Sequence, residues 1–406
     1  MISKIVVSGG WSYGNIGDEV IAKCTMGLLD KYFPDVHKIY TSYDPKDFYM
    51  HHNLMAIESI HSILEGKSLG TKNIKQILSS QEDYGLDEFC KNLSNETLFI
   101  MSGGGYFDGN WDSQFAARIL EIELAKKNGS FVAVIGQSIG PFITSFQINQ
   151  VRNTLGKVDY INVRDEASRV YLKNIIYNKE ITCCCDIALT ISDFYPLSVK
   201  ESNQKFCNLI VQVYARYVEN GNQRRRNRNI ERWIKRITLQ LYRYDLSLLY
   251  LIKKISSTPN WNIRFVLNVQ KTDKISNSHF LNYATKLRHR IRGEKFIEIK
   301  EGMNVDEFCA ILANSNAIVS CKMHPLIVSA SYGIKTIALS QHYKIDAFME
   351  WIGRTACCFR NSSFSARKIL DILVNEKFEV DYTIVETRKN DIYQMMEQLR
   401  ELLDRN

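Results

Sequence analysis

The chain has 406 residues, of which 45% are hydrophobic and 24% charged, too many for one ordinary core and too apolar for a disordered polymer. Its formal net charge is +8, and much of it lies in "NQRRRNRNIERWIKR" at 222–236, a run suited to a solvated helix face or to contact with an anionic membrane surface or polymer. No window reaches about 18 consecutive apolar residues, so no transmembrane helix is expected, and nothing in the chain matches a nucleic-acid module.

The opening "MISKIVVSGG" is too short in its apolar part for a signal peptide. The expected location is the cytoplasm, with the basic run allowing peripheral contact at the inner face of the membrane. Ten cysteines include "CCC" at 183–185 and "CC" at 357–358, with no CxxC pair. They read as small buried residues in a reducing compartment rather than a zinc site, and no metal is expected.

In chain order, the apolar runs at 4–9, 97–103, 131–136, 160–165 and 186–191 predict strands buried on both faces, the mark of a parallel sheet. Helical patterns over 18–33 and 112–129 lie between them, giving a βαβ series with helices on both faces. A polar stretch with a proline at 193–205 marks the domain boundary. A second series follows: strands at 208–216, 262–269, 317–321 and 336–340, helices at about 229–256, 305–315 and 325–333, and an amphipathic tail helix at 389–406. The expected domains are 1–195 and 205–385, both Rossmann-like, with 386–406 as a C-terminal helix.

Ligands of open parallel sheets bind beyond the C-terminal strand ends, so the residues after each strand carry the functional reading. "GGWSYGNIGDEVI" follows the first strand. It is neither GxGxxG nor a P-loop, but its glycines let backbone N–H groups approach an anion or a sugar. Asp18 serves there either as a helix N-cap or as a base that takes a proton from a hydroxyl. "GGGYFDGNW" at 103–111 places three glycines where something comes close, with Asp108 and Trp111 available to hold a sugar. "GQSIGPF" at 136–142 ends the next strand in the same way, and "VRDEAS" at 163–168 suggests a structural ion pair at the domain's edge. In "SCKMHPLIVSASYG", Pro325 fits the first helical position, which puts His324 near the N-cap and Lys322 just before it. Lys322, His324 and the helix start together suit a phosphate or carboxylate. His342 and Lys344 follow the next strand, and Arg216 ends the domain's first.

Taken together, "GNIGDEVI" (14–21), "GGGYFD" (103–108), "GQSIGP" (136–141), "VRDEAS" (163–168), "DIAL" (186–189) and "CKMHPLIVSASYGIKTIAL" (321–339) with "YK" (343–344) resemble the polysaccharide pyruvyl transferase family over about 330 residues. The resemblance implies an α/β, GT-B-like fold of two doubly wound Rossmann-like domains facing across a cleft. It also implies phosphoenolpyruvate as donor substrate with no further cofactor. The acceptor would be a sugar of a cell-surface or exported polysaccharide, or a lipid-linked oligosaccharide, and the product a pyruvate ketal. On this reading the N-terminal domain is the acceptor side, with Gly14, Asn15, Gly103, Gly104, Gly105, Asp108 and Gln137 as contacts. The C-terminal domain holds the donor through Arg216, Lys322, Met323, His324 and Lys344. Asp18 is the base and His324 the acid.

The family pattern has Arg-X-His where this chain has Lys322-Met323-His324, exchanging a planar fork for a compact charge. Lys335, where proline is usual, is expected to be neutral or to add local charge. Two other classes fit the same residues. One is a GT-B glycosyltransferase with a nucleotide-sugar donor gripped by Glu301 or Asp306; the other is a non-catalytic glycan-binding protein.

Overall fold

A computed structural model of the chain describes residues 2–67, 69–197, 205–210, 239–266, 297–300, 302–360, 364–374 and 381–405. The basic run at 222–236, Arg216 and Glu301 lie outside them. The chain divides into two compact units, Met1–Phe194 with Glu386–Asn406, and Tyr195–Val385.

In the first unit the sheet has eight strands: β1 (Lys4–Ser8), β2 (His37–Ser42), β3 (Ala56–Glu58), β4 (Thr97–Met101), β5 (Gly104–Phe107), β6 (Phe131–Ile139), β7 (Tyr160–Val163) and β8 (Thr182–Cys183). Their order is β3-β2-β1-β4-β6-β7-β8, with β5 paired to β6, and every pairing is parallel. Parallel neighbours need long crossovers, and helices Ile16–Tyr32 and Asp112–Lys127 supply them. Strands β1, β4 and β6 are buried nearly throughout, as their unbroken apolar runs require. The order reverses between β1 and β4. Their following loops therefore diverge and leave room for a ligand.

The second unit repeats the plan with β9 (Lys205–Ile210), β10 (Trp261–Val266), β11 (Ile297–Lys300), β12 (Ala317–Ser320), β13 (Lys335–Ser340) and β14 (Cys358–Arg360). These run in the order β11-β10-β9-β12-β13-β14, again all parallel, and the reversal falls between β9 and β12. The C-terminal helix Tyr382–Asp404 returns to the first unit from Glu386 onward. There Ile392, Met395, Met396 and Leu399 are buried, Tyr393 Oη donates to Asp193 at 2.6 Å and Lys389 Nζ lies 2.6 Å from the same carboxylate.

Two expectations from sequence are corrected. Residues 186–191 form no strand: Asp186 Oδ1 accepts from Ala188 N at 3.0 Å and opens a 3-10 turn, Ile187–Thr190, that runs into helix Ile191–Phe194. The apolar run instead covers helix Ile16–Tyr32, where Cys24 Sγ lies 3.8 Å from Ala188 O. A short apolar run has the same composition in a buried strand and a buried turn. Second, the helix expected at 325–333 begins two residues earlier, as Met323–Ser331 with Lys322 at the N-cap position. Pro325 is then third in the helix, where its missing N–H still has no intrahelical partner to lose. Lys335, expected to be neutral or to add local charge, stands away from the C-terminal strand ends. It opens β13 from the other edge and donates from a buried Nζ to Leu373 O at 3.2 Å.

Candidate active site

The turn after β1 is held by its own side chains. Gly14 has φ +82°, a conformation that glycine adopts without a Cβ penalty. Asn15 is the N-cap of helix Ile16–Tyr32: its side chain accepts from Gly17 N at 3.2 Å and donates to Asp18 Oδ2 at 3.0 Å. Asp18 therefore does not cap the helix. It sits in the first turn, where a carboxylate is favoured by the helix dipole, and its side chain is free to face the space beyond the strand ends.

What comes close to the glycines is protein. The ring of Tyr106, on β5, lies against Gly10 and Gly104: a Cβ would stand 2.0 Å from its Cε1 at Gly10 and 2.2 Å from its Cε2 at Gly104. Arg118, from helix Asp112–Lys127, covers the same ring with its guanidinium 5.6 Å from the centroid, a cation–π distance. The Tyr106 hydroxyl is buried and outside hydrogen-bond geometry with any protein group, yet near enough to Asp18 to favour its ionised form.

These residues wall a pocket of about 80 Å³, open at its mouth, lined by Gly10, Tyr13, Asp18, Tyr43, His61, Tyr106, Gln114 and Arg118. Tyr13 and Tyr43 meet edge to face at 4.7 Å, and the His61 ring lies tilted 5.3 Å from Tyr43. Burial, with Glu19 adding like charge, pushes the Asp18 carboxyl up to about 7, against the opposing effects of Tyr106, Arg164 and Asn15. Burial and the Arg118 charge push His61 down to about 4, so its ring stays neutral at physiological pH. The pocket thus offers a carboxyl that titrates near neutrality, a neutral imidazole and phenol faces.

Fixed charges surround the pocket. Arg118 Nη1 donates to Ser8 Oγ at 2.6 Å and Glu121 Oε2 at 2.7 Å. Glu19, buried beside Asp18, accepts from Ser12 N at 2.6 Å and pairs with His52 Nε2 at 3.0 Å; burial pushes its carboxyl up to about 7 as well. The ion pair expected from "VRDEAS" is present: Arg164 Nη1 and Asp186 Oδ2 are 2.5 Å apart, both side chains almost fully buried. Asp165 caps the next helix by accepting from Ser168 N at 2.7 Å.

The other acceptor-side candidates hold the frame and do not line the pocket. Gln137 is buried; its amide donates to Ser102 O and its Oε1 accepts from Tyr106 N at 3.4 Å. Gly103 is buried against Ile187, 3.0 Å from where a Cβ would stand, and Gly104 and Gly105 open β5. Asp108 Oδ1 accepts from Asn110 N at 2.9 Å and closes the turn after β5, while Trp111 is 64% exposed. Sequence reading passed over Tyr106, His61, Arg118, Tyr13 and Tyr43. Tyr106 was visible inside "GGGYFD" and Arg118 as a charge amid the apolar face of its helix. His61 belongs to a helix of 4 residues, Ile60–Ile63, too short to leave a periodic signal.

In the second unit β12 and β13 are parallel neighbours, so the helices that follow them, Met323–Ser331 and Tyr343–Trp351, start at one sheet edge. The same device turns both chains: Ser320 Oγ donates to Lys322 O at 2.9 Å, and Ser340 Oγ donates to His342 O at 3.3 Å. Neither N-cap residue, Lys322 or His342, caps its helix with its side chain. Lys322, Met323, His324 and Lys344 are all half-buried at these helix starts. The structure thus places four of the five donor-side candidates at one edge; Arg216 lies outside the described residues.

Several solved structures share this architecture. They include UDP-GlcNAc 2-epimerase from Methanocaldococcus jannaschii, with TM-score 0.57 and 15% identity over 97% of this chain and 99% of that one. The S. aureus MnaA–UDP co-structure has TM-score 0.56 and 12% identity over 98% and 94%. UDP-GlcNAc 2-epimerase from Neisseria meningitidis bound to UDP-GlcNAc has TM-score 0.55 and 13% identity over 99% and 100%. At such identities the likeness is one of fold, and the class is an α/β protein of GT-B-like fold. A family model described as polysaccharide pyruvyl transferase matches residues 15–343, most of the chain, and the chain belongs to that family. No curated protein sequence matches it. Among the described residues no helix is long and apolar enough to cross a membrane.

Proposed function

We propose that the protein transfers the enolpyruvyl group of phosphoenolpyruvate onto a sugar of a cell-surface or exported glycan and closes it as a pyruvate ketal. The observation that carries the reading is Asp18: a carboxyl held at about 7 and facing an aromatic-walled pocket, in a chain of the pyruvyl transferase family. A general base works best with a pKa near the operating pH. Phenol faces and a neutral imidazole suit an uncharged sugar.

In this reading Asp18 takes the proton of one sugar hydroxyl as its oxygen adds to C2 of the enolpyruvyl group, and His324 protonates the methylene carbon to give the methyl. A second hydroxyl then displaces phosphate, which leaves with the remaining proton. Lys322, His324, Lys344 and the two helix starts hold the donor's carboxylate and phosphate. Positive charge already in place also stabilises the departing phosphate. Lysine at 322 serves as a point charge, as lysines do in many phosphate sites.

Solved neighbours named with UDP or UDP-GlcNAc supply the second reading, a nucleotide-sugar donor. Thermal stability separates the two, because a ligand that binds only the folded chain raises it by RT ln(1 + [L]/Kd). A rise with phosphoenolpyruvate and none with UDP-GlcNAc is expected; the reverse would sink the proposal. Asp18→Asn is expected to lower phosphate release by about 10²- to 10⁴-fold while keeping the phosphoenolpyruvate shift. A lost shift would place Asp18 on the donor instead.

A further inference from the structure

We infer that Tyr106 is the positioning residue of this site: its buried hydroxyl donates to the Asp18 carboxylate once Asp18 ionises, and so fixes the direction in which Asp18 receives a proton. The inference rests on the reading of Asp18 as base and adds to it a residue whose role no family motif supplies.

The geometry is specific. The ring cannot swing toward either glycine turn, because Gly10 and Gly104 lie against it where even a Cβ would overlap. Arg118 closes the remaining face and is itself held by Ser8 and Glu121. A ring so confined carries its hydroxyl to one place, beside Asp18. That hydroxyl is buried with no protein partner, an arrangement that is unfavourable unless something accepts from it. The Asp18 carboxylate is the acceptor at hand. Asn15 Nδ2 already donates to Oδ2 at 3.0 Å, so a second donor locks the carboxylate's plane. The groups that face Asp18 are Glu19 on its own helix, Asn15 at the cap, Tyr106 on β5 and Arg164 beyond β7. Those that face Tyr106 are Asp18, Arg118 and Arg164. Among them Asn15 and Tyr106 carry the neutral donors that favour ionised Asp18; the Asn15 bond is formed, and the Tyr106 bond is the one inferred.

Tyr106→Phe tests this, because the ring keeps its seat and only the hydroxyl is lost. The direct readout is a carboxyl-carbon NMR titration of the full chain labelled at aspartate, with the Asp18 signal identified by its loss in Asp18→Asn. Wild type should titrate at about 7. Tyr106→Phe should bind the Asp18 proton about tenfold more tightly, as expected for the loss of a hydrogen bond to a charged group. An unmoved or lowered midpoint overturns the inference. In the transfer assay, phosphate release from phosphoenolpyruvate with methyl hexopyranosides should fall about tenfold in kcat, with KM for phosphoenolpyruvate unchanged and the acidic limb of the pH profile moved up. Equal kcat and an unmoved limb also overturn it. Wild type that releases no phosphate counts against pyruvyl transfer, not against the Tyr106–Asp18 pairing, which the titration decides alone.

Discussion

At Gly10 and Gly104 a substitution as small as alanine would place a methyl inside the Tyr106 ring. Gly104→Ala adds strain at φ +145°. Each is expected to cost about 1–3 kcal/mol by overpacking and to lower activity by displacing the phenol; unchanged melting and activity in both would mean that the ring has other room. Sequence showed that the glycine turns matter, since three consecutive glycines ask for a close approach. It did not show that the approaching group is the tyrosine two residues along, because only the pairing of β5 with β6 brings that ring back across the turn after β1. Asp18 was legible as a cap or a base, and in the structure Asn15 takes the cap. Its proton also makes a stability prediction. The carboxyl is raised from 3.8 to about 7, so between those pH values the folded chain holds a proton that the unfolded chain has released. This group's contribution to stability therefore falls as pH rises through that window. Melting measured against pH should show Asp18→Asn gaining on wild type from about pH 4 to 7 and keeping a constant lead above; a constant gap throughout would mean that Asp18 is not perturbed.

Among the elements, the long periodic helices and the strands buried on both faces were legible, because their patterns outlast local exceptions. The strands missed were β2, β3, β5, β8, β11 and β14. β2 mixes polar and apolar residues and is exposed at its start, β3 is 3 residues long, and β5 opens on glycines. None carries an apolar run. The helix start at Lys322 is better defined than the sequence allowed: Ser320 fixes the turn by bonding both the N–H and the C=O of Lys322. If that turn presents Lys322 to the donor's anion, Lys322→Ala should weaken the phosphoenolpyruvate-induced thermal shift by about 1.5–3 kcal/mol of binding, the range for a hydrogen bond to a charged group. Lys322→Arg should keep or strengthen it. An undiminished shift in Lys322→Ala would remove Lys322 from the donor site. The buried Arg164–Asp186 pair belongs to this scale too, since it ties the end of β7 to the turn at 186–190. Asp186→Ala strands a buried guanidinium and is expected to cost about 3–5 kcal/mol in chemical denaturation.

For the whole molecule, the sequence conveyed two parallel α/β units, but not the return of the C-terminal helix to the first of them. An amphipathic tail shows which face is apolar and says nothing of what covers it. In the structure Met395 lies 3.9 Å from Cys184, and Tyr160 Oη donates to Met395 O at 3.3 Å. Removing residues after Val385 would delete four buried large apolar side chains, Ile392, Met395, Met396 and Leu399, and expose the surface they cover. Each is worth about 1.5–3 kcal/mol, a sum comparable to the whole stability of a domain, so the truncated chain should fail to fold cooperatively. A sharp, wild-type-like melt would show that the first unit stands without it. The most direct measurement incubates the full chain with phosphoenolpyruvate and a panel of methyl hexopyranosides and follows phosphate release alongside product mass. Glycoside-dependent phosphate release, matched by a product bearing a pyruvate ketal and abolished in Asp18→Asn, is the expected result. UDP release from UDP-GlcNAc with no ketal from phosphoenolpyruvate would contradict it.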